Sequence, residues 1–316
     1  MLEQMAGDAW RKALAPLFPA LVRQAMGAMP QSSAAQAREI RLRCARPIGI
    51  VVTEGERFLR LDGTLTSYPG DAVRMDAADC QRFFERIIEY SPSAKMGELS
   101  EGYVSLRGGY RVGLCGKVVV REGEVRSIAS CVSFNIRIMR QILGVADGLM
   151  NEIVSGGRVI NTLVLSPPGM GKTTLVRDIT RQLGTGWQGR LPVKVGIVDE
   201  RGEIAACHGG IPQCDVGICT DTLEGCPKAA GIMMMVRTMS PQVIVTDEIG
   251  RREDVTALIE AMNAGVAMVV TAHGESAEAA ARRPVMRELQ AMGYFQRTIL
   301  LGKEGMPGRV SCIDRL

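Results

Sequence analysis

The stretch Ser166-Pro-Pro-Gly-Met-Gly-Lys-Thr-Thr174, directly after the apolar run Leu163-Val-Leu165, decides how the second half of the chain is read. Gly169 and Gly171 permit backbone conformations in which successive N–H groups turn inward to cradle an anion. Lys172 can then reach terminal phosphates, and the Thr173 hydroxyl can bind Mg²⁺. The spacing of Leu175, Val176 and Ile179 predicts a helix opening at Lys172, whose positive end adds to the same site. Ser166, Pro167, Pro168, Gly169, Met170, Gly171, Lys172, Thr173 and Thr174 are therefore the expected nucleotide-binding segment. The usual pattern begins with Gly where this chain has Ser166, a residue that can still make the turn.

Outward from that loop, short apolar strands alternate with helices from Val159 onward. Thr162 to Leu165, Val195 to Val198, Val243 to Thr246 and Val266 to Thr271 are apolar almost throughout, which predicts a parallel sheet covered on both faces. A helix opens at Pro227 and stops at Ser240-Pro241. Ligands on such sheets sit at the carboxyl ends of the strands, and the polar residues fall there. Val243-Ile-Val-Thr-Asp-Glu248 delivers two carboxylates: Asp247 to hold Mg²⁺ through its water shell, Glu248 to orient and deprotonate a water. Ile197-Val-Asp-Glu-Arg-Gly-Glu203 places Asp199, Glu200 and Glu203 toward the same cleft as catalytic or subunit-contact groups, or in pairing with Arg201. Val270-Thr-Ala-His273 brings a histidine to that edge, where it can sense a terminal phosphate. An Asn-Lys-x-Asp guanine signature is absent, so the nucleotide is expected to be ATP.

The first half reads differently. Glu39-Ile-Arg-Leu-Arg43 alternates, Ile48 to Val52 is an apolar strand and Phe58 to Leu61 follows a turn. A helix burying Phe83, Phe84, Ile87 and Ile88 follows the possible caps Asp76 and Asp79 and ends at Ser91-Pro92. Tyr103 to Leu106, Tyr110 to Cys115, Val118 to Arg121 and Val125 to Ile128 are further strands, separated by Gly108-Gly109, Gly116 and Glu122-Gly123. This predicts a small mixed sheet with a helix or two. Trp10, Leu14, Leu17, Phe18 and Leu21 recur at helical spacing, for an N-terminal amphipathic helix packed on the body of the protein rather than on a membrane.

With 316 residues and 46% hydrophobic residues, the chain has room for two cores. A net charge of +4 is too mild to indicate a nucleic-acid binder, and nucleic acid is not an expected partner. No apolar run approaches bilayer length and no leader pattern is present, which points to a cytoplasmic protein with reduced cysteines. Cys207, Cys214, Cys219 and Cys226, with His208 alongside, are separated by six, four and six residues. Zinc ligands pair more closely, so these are read as incidental small residues.

Phosphate loop, acidic strand end, Asp-Glu strand end and histidine strand end, in that order, resemble the secretion and pilus-retraction ATPases. Arg237-Thr-Met-Ser-Pro241, Glu248 and Thr271-Ala-His273 carry the likeness. Those motors usually have Gly at the position of Asp247, which leaves the general base open between Glu248 and an acid of the Asp199 to Glu203 segment such as Glu200. Glu39-Ile-Arg-Leu-Arg43 with Arg46-Pro47, Gly108-Gly-Tyr-Arg-Val-Gly113, Ser133-Phe-Asn-Ile-Arg137, Asp199-Glu-Arg201 and Cys226-Pro-Lys-Ala229 resemble the stage III sporulation protein AA family over nearly the whole chain. Gly144, Gly148, Gly156 and Gly157 interrupt the pattern between the two halves, which predicts a smaller N-terminal mixed α+β domain (1–143), a linker (144–158) and an α/β domain with a largely parallel sheet (159–316); the resemblance implies that the last is a RecA-like P-loop NTPase core. It also implies a cytosolic ATPase of the mother cell, acting with membrane proteins of the channel that joins mother cell and forespore. In the related motors a neighbouring subunit supplies arginine to the terminal phosphate. The matching residues are Arg111 and Arg137 or Arg140, in a homo-hexamer expected to close head to tail. Two other ATP users stay open, a nucleic-acid-dependent RecA-like ATPase and a slow ATP-dependent scaffold.

Overall fold

The computed structural model describes residues 9–91, 95–302 and 309–315. The chain forms two compact units, Met1–Gln141 and Ile142–Leu316.

Unit 1 begins with α1 (Ala9–Leu14), α2 (Ala20–Ala28) and α3 (Gln31–Gln36). The amphipathic stretch is therefore not one helix. A 3₁₀ turn at Ala15–Leu17 carries Pro16, and Pro19 forces an extended break before α2. Trp10, Leu14 and Phe18 are buried in the core and Leu21 is exposed, so the stretch packs on the body of its unit. The strands are β1 (Glu39–Arg43), β2 (Gly49–Val52), β3 (Gly55–Leu59) and β4 (Leu65–Thr66). After α4 (Ala77–Ile87) and α5 (Met96–Ser100) come β5 (Tyr103–Leu106), β6 (Tyr110–Arg121) and β7 (Glu124–Arg137). They form one seven-stranded sheet in the order β4-β3-β2-β1-β7-β6-β5. Every named strand pair in it is antiparallel, where a mixed sheet was expected. Asp76 caps α4 by accepting from the Asp79 N–H at 2.7 Å, and Asp79 itself lies within the first turn. The helix ends at Ile87; the expected stop at Pro92 lies outside the described residues. Phe83 stacks on Phe18 and meets Phe134 of β7 edge-on, which fixes α4 to the sheet.

Gly116 does not separate two strands. The strand runs through it with bulges on either side, because a Cβ there would run into the Ser130 carbonyl. The separate strand read at Val125 to Ile128 likewise continues to Arg137.

Unit 2 opens with α6 (Met150–Ile153) and the short hairpin β8 (Val154–Ser155) and β9 (Arg158–Val159). Residues 144–158, expected as a linker, are built into this unit. Met150 and Ile153 are buried, and the Ala146 N–H donates to Asp178 Oδ2 at 2.9 Å. Then follow β10 (Thr162–Ser166), α7 (Lys172–Thr185), β11 (Val195–Asp199), β12 (Thr220–Glu224), α8 (Lys228–Thr238), β13 (Val243–Glu248), α9 (Arg252–Asn263), β14 (Ala267–His273), α10 (Ala277–Ala281), α11 (Pro284–Ala291), β15 (Arg297–Leu301) and β16 (Val310–Arg315). The sheet order is β12-β11-β13-β14-β10-β15-β16, parallel except for β15 with β16. Leu163, Leu165, Val198, Ile244 and Val270 form a core with α8, α9 and α11 on one face. The alternate residues Val164, Ile197, Val245 and Val269 are buried on the other face, which α7 crosses. Both faces being covered explains the unbroken apolar runs. Among the described residues no helix is long and apolar enough to cross a membrane.

Candidate functional site

The strand order sets β14 between β10 and β13, so three loops with polar ends meet at one edge. Ser166 at the end of β10 stands beside His273 at the end of β14, and Glu248 of β13 pairs with Thr271. The cleft that results, about 320 Å³, is lined by the phosphate-loop residues Pro168 to Thr174 except Met170, and by Arg201, Glu203, Asp247, Glu248, Thr271 and His273.

Gly169 has φ 75° and Gly171 φ 86°, the left-handed conformations that turn N–H groups into the loop and that favour glycine. Gly171 is also the residue before α7, so the helix N-terminus opens on the cleft. Ser166 Oγ bonds back to the Pro167 carbonyl at 2.7 Å, its way of making the turn in place of glycine. The Lys172 ammonium has Ser166 O (3.1 Å), Ser166 Oγ (3.2 Å), Pro167 O (3.3 Å) and His273 Nδ1 (2.9 Å) within hydrogen-bond reach, four acceptors that share its three protons. None of these contacts is with a carboxylate, and the ammonium lines the cleft. Burial, and then the nearby Arg283 cation, push the Lys172 pKa down against the pull of Glu248 and Glu203.

Since an ammonium can only donate, His273 Nδ1 accepts, and the proton sits on Nε2. That N–H faces Glu248 Oε2 at 3.0 Å. Lys172, His273 and Glu248 thus form one chain in which each group fixes the next, with Glu248 as a carboxylate acceptor. Arg283 donates to the His273 carbonyl and holds the end of β14.

Asp247 and Glu248 are consecutive, and regular alternation along a strand would send them to opposite faces. The β13–β14 register shifts between Thr246 and Glu248, a bulge that brings both into the cleft. Asp247 Oδ1 is 2.8 Å from the buried Lys228 ammonium, which also lies 3.6 Å from Glu200 Oε2 and donates to the Glu248 carbonyl. Burial raises the Asp247 pKa, and Lys228 opposes that rise.

Of the acids expected from the 199–203 segment, Glu203 lines the cleft and Glu200 faces Lys228. Asp199 does not point into the cleft. It is fully buried and accepts from the N–H groups of Glu203 (2.8 Å), Ile204 (3.0 Å) and Ala205 (2.9 Å), because a strand-end carboxylate can cap the turn that follows it. Arg177 ties the same turn from α7 by donating to the carbonyls of Glu203 and Ile204, each at 2.6 Å. Neither Arg177 nor Lys228 was singled out for a role by sequence reasoning. A usable signal existed for Lys228, a cation at the first position of a helix, where the dipole disfavours it.

Arg111, Arg137 and Arg140 belong to unit 1. Arg111 and Arg137 are direct cross-strand partners, so they share one face, with Glu39 opposite Arg137 in the next strand. The Arg111 guanidinium lies 3.5 Å from the centroid of the Tyr103 ring. Arg140 donates to the carbonyls of Ala35 and Ala37, the latter at 2.8 Å, and so closes the C-terminal end of α3.

The donor set fits a nucleotide with Mg²⁺. Thr173 and Asp247 are hard oxygen donors in the same cleft, and phosphate oxygens and water would complete the coordination. Among the described residues no group of three or more His, Cys, Asp or Glu is placed to hold a metal, the Cys207 to Cys226 region included. Cys207 and Cys214 are buried, and burial pushes the Cys207 thiol to about 12.

A phosphate loop on a central parallel strand, flanked by strand-borne acids and a histidine, defines a P-loop protein of the RecA-like secretion-ATPase fold. The chain superposes on the X-ray structure of the Legionella pneumophila ATPase DotB with a TM-score of 0.56 at 16% identity, over 88% of this chain and 74% of that one. The pilus retraction motor PilT with bound ADP gives a TM-score of 0.56 at 16% identity, over 88% and 76%. More specifically, the chain belongs to the family described as Sporulation stage III, protein AA, whose pattern matches residues 11–315. Stage III sporulation protein AA of Bacillus subtilis (strain 168) is 41% identical over 300 residues, 95% of this chain and 94% of that protein.

Proposed function

We propose that the chain hydrolyses ATP to ADP and phosphate in the cleft at the end of β10, β13 and β14. The observation that carries this is the Lys172–His273–Glu248 chain, which joins the phosphate-binding cation to a carboxylate able to take a proton from water. Lys172 and the N–H groups of Gly169 to Thr173 bind the phosphates, and Thr173 and Asp247 hold Mg²⁺. The metal supplies charge neutralisation at the phosphate oxygens when bound. Glu248 accepts the proton of the attacking water, since Glu200 is turned to Lys228. His273 reports whether phosphate has drawn Lys172 away.

The family relationship extends the proposal to a homo-hexameric ring in the mother-cell cytoplasm, working with membrane proteins of the sporulation channel. In that ring Arg111 and Arg137 of a neighbouring copy are the candidates to meet the terminal phosphate, a task suited to a permanently charged fork. Arg140, tied to α3, is the weakest of the three. Turnover assays of wild type, Lys172→Ala, Glu248→Gln and Arg111→Ala, with native mass measurement with and without ATP, test the reading. Loss of turnover in all three variants and a ring mass with ATP are expected. A monomer with full activity in Arg111→Ala overturns the ring, and undiminished turnover in Glu248→Gln overturns the assignment of the base.

A further inference from the structure

Lys228 is 4% exposed, although a buried ammonium is costly to desolvate. It also stands at the first position of α8, where its charge opposes the helix dipole. Two unfavourable placements at one residue need a compensating partner, and three oxygens supply it: Asp247 Oδ1 at 2.8 Å, Glu200 Oε2 at 3.6 Å and the backbone carbonyl of Glu248. The carbonyl matters most for geometry. It sits beside the bulge that interrupts the β13–β14 ladder between Thr246 and Glu248. The β11–β13 ladder ends at Thr246, so the Glu248 carbonyl lies beyond it, and the Lys228 ammonium donates to that oxygen.

The approach of α8 to the strand ends is itself built in. A Cβ at Gly231 would come within 2.6 Å of Val198 Cγ1, so glycine lets the helix press against β11 and bring Lys228 under β13. Cys226-Pro227 precedes the helix, and Pro227 starts it with an extended conformation.

We propose that Lys228 is a positioning residue: by holding the Glu248 carbonyl and the Asp247 carboxylate together, it keeps the bulge that sends both acids into one cleft and aims Glu248 at His273. This deepens the hydrolysis reading above and rests on it. A side chain acting in this way sets the direction of the base and leaves the phosphate cradle of β10 and α7 alone. It should therefore affect the chemical step and the Asp247 metal ligand, and spare nucleotide binding in the absence of Mg²⁺.

The test uses full-length wild type, Lys228→Met and Lys228→Ala, each checked for folding by circular dichroism and thermal unfolding, with Glu248→Gln as reference. Steady-state ATP turnover with Mg²⁺ and binding of a fluorescent ATP analogue in EDTA, which reads the phosphate cradle without the metal, are measured. Lys228→Met should lower kcat about 100-fold while the analogue Kd moves by less than about threefold. Methylammonium or ethylammonium should restore part of the kcat of Lys228→Ala saturably, and none of that of Glu248→Gln. The proposal is overturned by a Lys228→Met kcat within about threefold of wild type, by Kd and kcat worsening together, or by folded Lys228→Ala that no alkylammonium rescues. Where Lys228→Met does not fold, Lys228→Arg, which keeps the charge but not its reach, is read for the same kcat-against-Kd split. If wild type binds the analogue but does not turn over ATP, the hydrolysis reading fails by itself. The Lys228 role is then decided by a crystal structure of the folded variant. A regularised β13–β14 register or an acid withdrawn from the cleft supports it, and an unchanged bulge with both acids in place overturns it.

Discussion

Unit 1 and unit 2 each build a seven-stranded sheet, yet the two sheets carry charge in different places. In unit 2 the strands β10, β11, β13 and β14 run parallel, so every crossover returns the chain to the same side and all their carboxyl ends share one edge. Lys172, Asp247, Glu248 and His273 converge there. In unit 1 the strands are antiparallel and successive ends alternate between edges. Its polar residues Glu39, Arg41, Arg111 and Arg137 are spread in rows on a face instead. Convergent chemistry thus belongs to the parallel sheet, and the antiparallel sheet offers breadth. Four substitutions probe that division, taken from the largest effect to the smallest.

Lys172→Ala removes the cation at the convergence point. We expect a loss of about 1000-fold in turnover, about 4 kcal/mol, with thermal unfolding of both units within a degree or two of wild type. A turnover loss matched by a large drop in stability would mean the site and the fold cannot be separated. Phe83→Ala strikes the other sheet. Phe83 is fully buried between Phe18 and Phe134, and its truncation should cost roughly 3–4 kcal/mol. Urea unfolding followed by fluorescence and by bound ATP analogue should show unit 1 losing structure at lower urea while analogue binding persists. Simultaneous loss of both signals would refute independent cores.

Asp199→Ala tests the margin of the site, where an acid at a strand end does structural work. Three N–H groups, of Glu203, Ile204 and Ala205, lose their acceptor. Unpaired buried donors of this kind should cost about 2–3 kcal/mol in unit 2, since the turn can recover part of the loss through water. Faster amide exchange confined to residues 203–205, with stability lowered by that amount, is the expected pattern. Unchanged exchange would show that Arg177 alone holds the turn.

The sequence made the centre of unit 2 readable and left its margins obscure, for physical reasons. A central parallel strand is buried on both faces, so β10, β11, β13 and β14 appear as apolar runs ending in polar residues. Strand β12, Thr220–Glu224, is an edge strand with half-exposed polar positions and gives no such run. Strand β15, Arg297–Leu301, is apolar but short, and periodicity alone cannot tell such a run from a piece of buried helix. The inward turn of Asp199 and the Lys228–Asp247 pair depend on contacts between separate elements, which no spacing rule encodes. Pro16 and Pro19, in contrast, were visible breakers in the N-terminal stretch, and the hydrophobic spacing concealed their effect.

The smallest effect lies at the tip of the hairpin joining β6 to β7. Arg121 pairs with Glu124 across Glu122 and Gly123, whose φ angles of 55° and 81° have the sign that a type I′ turn demands at both central positions. Gly123 adopts this conformation freely. Glu122 does not, because a Cβ in the left-handed region crowds the following carbonyl, and asparagine tolerates it better than glutamate. Glu122→Asn should therefore stabilise the hairpin by about 0.5 kcal/mol, slowing amide exchange at the tip roughly twofold and leaving ATP turnover at the wild-type level. The exposed Val118, Val120 and Val125 make this hairpin the least buried part of the unit 1 sheet, so its opening is local and the exchange reports the turn rather than global unfolding. A gain in turnover from this change would break the division between the sheets, since it would make a hairpin tip of unit 1 limiting for chemistry at the strand ends of unit 2.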